Sequence, residues 1–123
     1  MTAGISTTVA NSALGNMTGT NMLYAELATG DPGTAGTTNP SNVTTRQSVT
    51  WGSASSASIA ASNTPTWATW AGTNGEVETY ITLWSASTSG TFGGSVALSA
   101  SVTMDTGDTL EITSLSISMP TAT

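Results

Sequence analysis

The stretch Glu76–Trp84, "EVETYITLW", decides the fold class, because its side chains alternate in character as those of a β-strand do. Successive side chains of a strand point to opposite faces, and β-branched and aromatic residues favour this conformation. The segment therefore predicts a strand. One of its faces would carry Val77, Thr79, Ile81 and Leu83, and the other would carry Glu78, Tyr80, Thr82 and Trp84.

Similar short runs on either side of this segment predict further strands, with turn residues between them. "DPG" at Asp31–Gly33 is typical of a turn, and "DTGD" at Asp105–Asp108 is typical of a hairpin. In the last run the spacing of apolar residues changes parity across Thr113-Ser114, which indicates a β-bulge or a strand that crosses between two sheets. The strands predicted beside 76–84 are about 21–27, 43–51, 95–98, 100–104 and 109–119.

One helix is predicted, at about residues 7–17 ("TTVANSALGNM"). A Thr at position 7 or 8 would cap it, a Gly at position 15 or 19 would end it, and its apolar stripe would be Val9, Ala13 and Leu14. We therefore expect a single domain over residues 1–123 that is mainly β. Its architecture would be an antiparallel β-sandwich or a jelly-roll-like fold with one short N-terminal helix.

The chain has little material for a hydrophobic core. Leu, Ile, Val and Phe together fall below the ~20% share at which disorder becomes a concern. Charged residues are only 7% of the chain, however, and the strand-forming residues are clustered, so an ordered fold is expected. Two interpretations stay open: a self-sufficient domain with a modest core, or a domain that is stabilised by burying surface against other subunits. The second is favoured, and it predicts a homo-oligomer.

The charge excludes several classes of partner. The formal net charge is −6 and the chain holds one basic residue, so the clustered cations that neutralise phosphates are missing. Binding to nucleic acid or to an anionic membrane surface is therefore not expected. No apolar run approaches the ~20 residues of a membrane span, and the N-terminal residues do not have the pattern of a secretory signal.

The sequence also excludes common catalytic and metal sites. The chain has no His, no Lys and no Cys, so its hydroxyls have no His or Lys base beside them and no thiolate can bind a metal. Two carboxylate pairs, Glu76/Glu78 and Asp105/Asp108, are the candidates for glycosidic chemistry or for a Ca²⁺ site. The favoured interpretation is that the Glu pair is solvated and the Asp pair bonds the turn backbone. We expect no enzyme activity, no cofactor and no metal.

Arg46, in the stretch "VTTRQSVTW", is the only basic side chain. It could be a surface residue paired with a nearby Glu. The favoured alternative is that its guanidinium bridges backbone carbonyls or a carboxylate at a subunit junction, where planar bidentate bonding fixes the geometry.

Three tryptophans complete the predicted partner interface. Trp51 ends the same predicted strand as Arg46, and Trp67 and Trp70 lie in a tract of small residues. For Trp67 and Trp70 a place in the core or at a subunit interface is favoured over a sugar-stacking platform.

Several segments resemble a family of small phage virion proteins that are commonly labelled phage tail fibre proteins. The most specific are "TRQSVTW" and "TGDTLEI", with "LYAELATGDPG", "ASNTPTW" and "VETYITLWSASTSGTFGG" in the same order. The resemblance covers roughly residues 7–119. The sequence departs from the family at a frequent His of the third strand, where it has Tyr80 or Thr79. The resemblance implies a structural subunit of a phage virion without catalysis, and the label is broad enough to include head-decorating proteins.

Two placements on the virion follow from this resemblance. The favoured one is a capsid decoration protein on the outer head surface, a homo-oligomer such as a trimer, bound to the major capsid protein. The negative charge, the Ser- and Thr-rich composition and the small core fit such a clamp. The alternative is a tail-fibre or baseplate-associated subunit, bound to a tail protein, that contacts host glycans through Trp67 and Trp70. Either protein would be made in the host cytoplasm and assembled on the particle.

Overall fold

A computed structural model describes residues 4–122 of the chain. It contains one helix and eight strands within these residues. They are α1 (Thr7–Asn21), β1 (Tyr24–Ala28), β2 (Gln47–Ser48), β3 (Ser58–Ala60), β4 (Thr66–Trp67), β5 (Glu76–Trp84), β6 (Phe92–Met104), β7 (Leu110–Glu111) and β8 (Ser116–Ser118). The protein is therefore mainly β with one short helix, and all pairs of strands are antiparallel.

Helix α1 is longer than predicted and presents a different face to the core. Ser6 is its N-cap, with the Oγ accepting a hydrogen bond from Val9 N at 3.2 Å, in place of the expected Thr. The buried residues are Ala10, Leu14 and Thr18, whereas Val9 is 55% exposed. Thr18 can be buried because its hydroxyl donates to Leu14 O at 2.8 Å, one turn back. The two glycines expected to end the helix lie inside it, and the helix continues to Asn21.

Strand β5 lies in the middle of a four-stranded sheet with the order β2-β1-β5-β6. Its bounds are those expected from the sequence. The residues from Ile81 to Trp84 are all buried, as is typical of a central strand covered on both faces. The alternation breaks nearer its start, where Glu78 is buried and Val77 is 39% exposed.

The two strands on one side of β5 are shorter than predicted. The predicted strand 21–27 is replaced by the end of α1 and then β1, because Asn21 still belongs to the helix and Met22 caps it. Of the predicted strand 43–51 only β2 pairs in the sheet, with Gln47 opposite Ala25. Its other residues are fixed by single contacts instead, such as the hydrogen bond from Val49 N to Leu23 O at 2.8 Å.

On the other side, the predicted strands 95–98 and 100–104 form the single strand β6, which begins at Phe92. Its pairing with β5 is interrupted in the middle. Glu78 lies opposite Val102, but Tyr80 lies opposite Ala97, so residues 98–101 have no Cα partner on β5. We call residues 98–101 the β6 bulge.

The predicted strand 109–119 divides into β7 and β8, at the place where its apolar residues change parity. β7 pairs with β4 and β8 pairs with β3, so the segment joins two separate two-stranded sheets. The interpretation as a crossing between sheets agrees with this topology. Strands β3 and β4 were not predicted, because their tract is rich in Ser and Ala and has little apolar alternation. The strand order does not confirm a jelly-roll arrangement.

The core lies between the inner face of the four-stranded sheet and the segments around β4 and β7. Its apolar residues come from nearly every part of the chain, which suits a sequence with few large aliphatic side chains. The clustered buried residues are Met22, Ala25, Leu27, Val49, Trp67, Trp70, Ile81, Leu83, Met104, Leu110 and Leu115.

The position of Leu83 in this core gives a test of the fold. Leu83 is 0% exposed on the central strand, so Leu83→Ala should lower the free energy of unfolding by about 2–5 kcal/mol through lost burial and a new cavity. Val77→Ala, on the same strand at an exposed position, is the control and should change it by about 0.5 kcal/mol or less. Chemical denaturation of both variants measures this, and equal losses would contradict the assignment of the core.

Candidate functional site

Arg46 precedes the short edge strand β2, and its side chain joins three segments of the chain. Its Nε donates to Glu26 Oε1 on β1 at 3.0 Å. One terminal nitrogen donates to Ala86 O at 2.8 Å and to Ser89 O at 2.7 Å, both in the turn between β5 and β6. The guanidinium therefore bonds a carboxylate and two backbone carbonyls at once, a combination that its planar set of donors suits.

An aromatic ring completes the surroundings of this cation. The Cζ atom of Arg46 lies 4.2 Å from the ring centroid of Trp84, which is cation–π geometry. The ring is held in place, because its Nε1 donates to Thr82 Oγ1 at 2.8 Å and the Phe92 ring lies 5.3 Å away. We call Arg46, Glu26, Trp84 and the two turn carbonyls the Arg46 cluster.

The Arg46 cluster forms within one chain. The side chains of Arg46 and Glu26 are only 9% and 14% exposed, so little of the guanidinium is left for another molecule. The bonding pattern is the one that sequence reasoning assigned to a subunit junction, but here it fixes the 85–91 turn against β1 and β5. A role for Arg46 in contacts between subunits stays a prediction.

The turn itself needs a residue without a side chain. Ser89 and Gly90 have φ values of 53° and 80°, in the left-handed region. A Cβ on Gly90 would lie 2.7 Å from Ser85 Oγ and 3.0 Å from Ala86 Cβ. Glycine therefore allows the close turn that presents the Ala86 and Ser89 carbonyls to Arg46.

The second polar site is a pair of carboxyl groups at the start of β5. Ser41 Oγ lies 2.5 Å from Glu76 Oε1 and 3.4 Å from Glu78 Oε1, and donates toward both. Asn42 N also donates to Glu76, at 3.1 Å from each oxygen. Glu78 is 0% exposed, so the expectation that both side chains are solvated is wrong for Glu78.

The surroundings of the two carboxyl groups separate their pKa values. Burial raises the pKa of Glu78 to about 8, and hydrogen bonding with Glu76 and the charge of Glu76 add to this, against a smaller lowering by Ser41. Burial also acts to raise the pKa of Glu76, but hydrogen bonds with Glu78, Ser41 and Asn42 outweigh it and leave that pKa lowered. Two close carboxyl groups ionise one at a time in this way.

One carboxyl oxygen of Glu78 has no hydrogen-bond partner. This atom, Glu78 Oε2, is buried, and no donor or acceptor among the described residues lies within hydrogen-bond distance of it. A neutral Glu78 carries a hydrogen that it can share with Glu76. The pair then holds residues 41–42 against β5, since Ser41 N is also bonded to Leu27 O of β1 at 3.2 Å.

The structure places the three candidate tryptophans in different surroundings. Trp67 and Trp70 lie in the core and are 3% and 2% exposed, so neither ring can stack on a sugar in this conformation. Trp51 is half-buried, and its Nε1 donates to Met22 O at 2.7 Å. It lines an open groove together with Gly15 and Gly19 of α1. Contacts of the three residues with a partner stay a prediction.

The aspartate pair bonds the backbone around the turn before β7. Asp105 Oδ1 accepts from Gly75 N at 3.0 Å, and Asp108 Oδ2 accepts from Asp105 N at 2.9 Å. Within residues 4–122 no three His, Cys, Asp or Glu side chains come together as a metal site would need.

A comparison with models of protein families shows which family the chain belongs to. The family model described as "Podophage GP4 fiber I protein gp80" matches residues 1–120. The chain belongs to this family. The resemblance to phage tail fibre proteins noted from the sequence is therefore confirmed, and the protein is a phage structural protein. A search of curated proteins found no match.

Sequence reasoning missed some residues of both sites in this fibre-family protein. Glu26 and Trp84 were not linked to Arg46, although a lone cation in an acidic chain is a signal to look for a carboxylate partner. Ser41 was not singled out at all. It follows Pro40 in a loop, and only the folded chain brings it to β5, so no local pattern could have shown it.

The Arg46 cluster predicts an effect of mutation on stability. Arg46→Ala leaves Glu26 and two turn carbonyls without their donor in a poorly solvated place, and should lower the free energy of unfolding by about 3 kcal/mol. Arg46→Lys keeps the charge but loses the planar donors, and should lie between Arg46→Ala and the native protein. Urea unfolding measures all three proteins. A variant Arg46→Ala as stable as the native protein would show that the cluster does not fix the turn.

Glu78 predicts a pH dependence of stability. Its pKa is raised in the folded state, so the folded protein holds a proton that the unfolded chain loses above its usual value near 4.5. Below that value the protonated Glu78 makes its full contribution to the free energy of unfolding. This contribution is lost as the pH rises toward about 8, and the free energy of unfolding falls by about 1.4 kcal/mol per pH unit on the way. Urea unfolding between these pH values measures the slope.

Glu78→Gln isolates this effect, because the amide has a similar shape and does not titrate. The variant should lose the slope, whereas Glu111→Gln, at an exposed position, should keep it. An unchanged slope in Glu78→Gln would mean that the buried carboxyl is already ionised at neutral pH.

Proposed function

We propose that this protein is a non-enzymatic structural subunit of a phage tail fibre, part of the virion and assembled on its tail. The observation that carries the proposal is the family match over residues 1–120, whose description names a fibre protein. The Arg46 cluster and the carboxyl pair Glu76/Glu78 support a structural role, since both join segments of the chain to one another.

The absence of enzyme activity in this proposal rests on the side chains themselves. The chain has no His and no Lys, so no hydroxyl has one of these bases to activate it. The one carboxyl with a strongly raised pKa, Glu78, is 0% exposed and cannot reach a substrate in this conformation. A general acid needs to lie within hydrogen-bond reach of the reacting group.

The fibre placement replaces capsid decoration as the favoured one. Charge, composition and a small core fit both placements, whereas the description of the family fits the fibre. Contact with host glycans through Trp67 and Trp70 is not part of the proposal, because both rings are buried. No helix of the described chain is long and apolar enough to span a bilayer.

Locating the protein on phage particles tests this proposal. Antibody-gold labelling of intact virions, with an antibody against the major capsid protein as the control, should mark the tail and leave the head unlabelled. The band of this protein on a virion gel should be weak relative to the major capsid protein. Labelling spread over the head, with a strong band, would overturn the fibre placement in favour of capsid decoration.

A further inference from the structure

The β6 bulge leaves a cavity between β6 and the segment that begins with β7. Residues 98–101 have no Cα partner on β5, and Leu98, Ser99, Ala100 and Val102 line this cavity from one side. Residues 110–114 line it from the other side, and its volume is about 160 Å³. An enclosed cavity of about 150 Å³ can hold benzene, so this one has room for an alkyl chain.

The walls of the cavity are largely aliphatic. Leu110 is buried, and Leu98, Val102 and Ile112 are half-buried against the core. Because these side chains pack on the core, the cavity is a fixed feature of the fold and does not arise from a loose loop. Its occupant must therefore offer apolar surface.

One carboxylate, that of Glu111, adds a charge to this lining. Glu111 lines the cavity and is exposed. The one ion pair among the described residues joins Arg46 to Glu26, so Glu111 has no cation beside it within residues 4–122. An occupant with a positive charge at the end of an apolar stem would complement both the walls and the carboxylate.

The basic side chains have this chemistry. Lys and Arg bury their methylene stems along apolar surface and keep the charged head group in water. The stem of Lys has four carbons, and the planar guanidinium of Arg can bond both oxygens of a carboxylate. A Lys or Arg side chain therefore fits the cavity, with its head group at Glu111.

The chain cannot supply this side chain itself. It has no Lys, and its one Arg is Arg46. That guanidinium already bonds Glu26 and two backbone carbonyls, and the side chain is only 9% exposed. A second copy in the same conformation has no free cation either. The occupant must therefore belong to a different molecule.

Backbone groups beside the cavity favour a protein segment over a free small cation. Thr113 and Ser114 lie between β7 and β8, are exposed, and form no backbone hydrogen bond with another described residue. Their N–H and C=O groups can bond the main chain on either side of an inserted basic residue. A free amine or guanidine has no main chain to use them.

We propose that the cavity between residues 98–102 and 110–114 is a docking site for one Lys or Arg side chain of a different protein, with Glu111 binding its head group. This contact goes beyond the proposed function and does not depend on where the protein lies on the virion. Its failure leaves the fibre placement intact, and the reverse also holds.

An NMR titration of the isotope-labelled full chain with the peptide acetyl-Gly-Lys-Gly-amide tests the proposal. The peptide should shift the backbone amide signals of residues 98–102 and 110–114. Glu111→Gln should bind it about two- to fivefold more weakly, which corresponds to the loss of an exposed ion pair. The same peptide with Nε-acetyl-lysine keeps the stem but has no charge, so the native protein and Glu111→Gln should bind it equally.

Asp31→Asn is the matched control, because it removes the same charge at an exposed position that does not line the cavity. It should bind the Lys peptide as the native protein does. Three results would each overturn the proposal: no shifts at residues 98–102 and 110–114 at the highest peptide concentration, equal affinity of Glu111→Gln and the native protein for the Lys peptide, or an equal loss in Asp31→Asn, which would indicate general attraction to an acidic chain.

Discussion

A single guanidinium connects the two longest strands to the short edge of the sheet. Arg46 bonds Glu26 on β1, covers Trp84 on β5, and holds the carbonyls of the turn that leads into β6. A charged group that is removed from water loses more free energy of hydration than one ion-pair partner restores. The guanidinium is therefore stable here only because several of its donors are bonded at once. Arg46 therefore fixes the turn, and with it the start of β6, against β1, while hydrogen bonds between Ser85 and Thr91 close the turn itself. The sequence supplies no second cation that could replace it.

Tryptophan side chains help a chain with few aliphatic residues to form a core. Each of the four indole N–H groups donates a hydrogen bond within the described chain, so a large ring can be buried without leaving a donor unpaired. Trp51 and Trp67 bond the carbonyls of Met22 and Thr45, which lie outside the strands. The rings thus supply apolar volume, and their nitrogens attach segments that the short sheets do not hold.

The sequence allowed the parts of the fold that depend on local pattern to be predicted. Strand β5 has its predicted bounds because alternation and β-propensity agree there, and the parity change near Thr113 marks the passage from β7 to β8. The predicted end of α1 was wrong. A glycine ends a helix only when the following chain turns away, and tertiary contacts decide whether it does so. Strands β3 and β4 were missed because Ser and Ala give little contrast between buried and exposed faces.

The sites were less predictable than the fold for a related physical reason. Arg46 could be recognised as important because its charge is unique, but its partners come from positions 20 to 43 residues away in the chain. Glu78 was expected at the surface because a carboxylate is costly to bury. That argument assumes an ionised group, and a neutral Glu78 beside an ionised Glu76 avoids most of the cost. Sequence reasoning fails here because protonation is decided by neighbours that only folding brings together.

The two ends of β5 are held by different kinds of interaction. From Ile81 to Trp84 the strand is buried and is joined to its neighbours by apolar contacts and by the Arg46 cluster. At Glu76 and Glu78 the same strand is joined to residues 41–42 by hydrogen bonds that Ser41 and Asn42 donate. β6 runs beside both ends and, at the bulge between them, loses its contact with β5. Residues 98–101 therefore lack the strand partner that most of β6 has on β5, and residues 98–100 line a cavity with residues 110–114 instead.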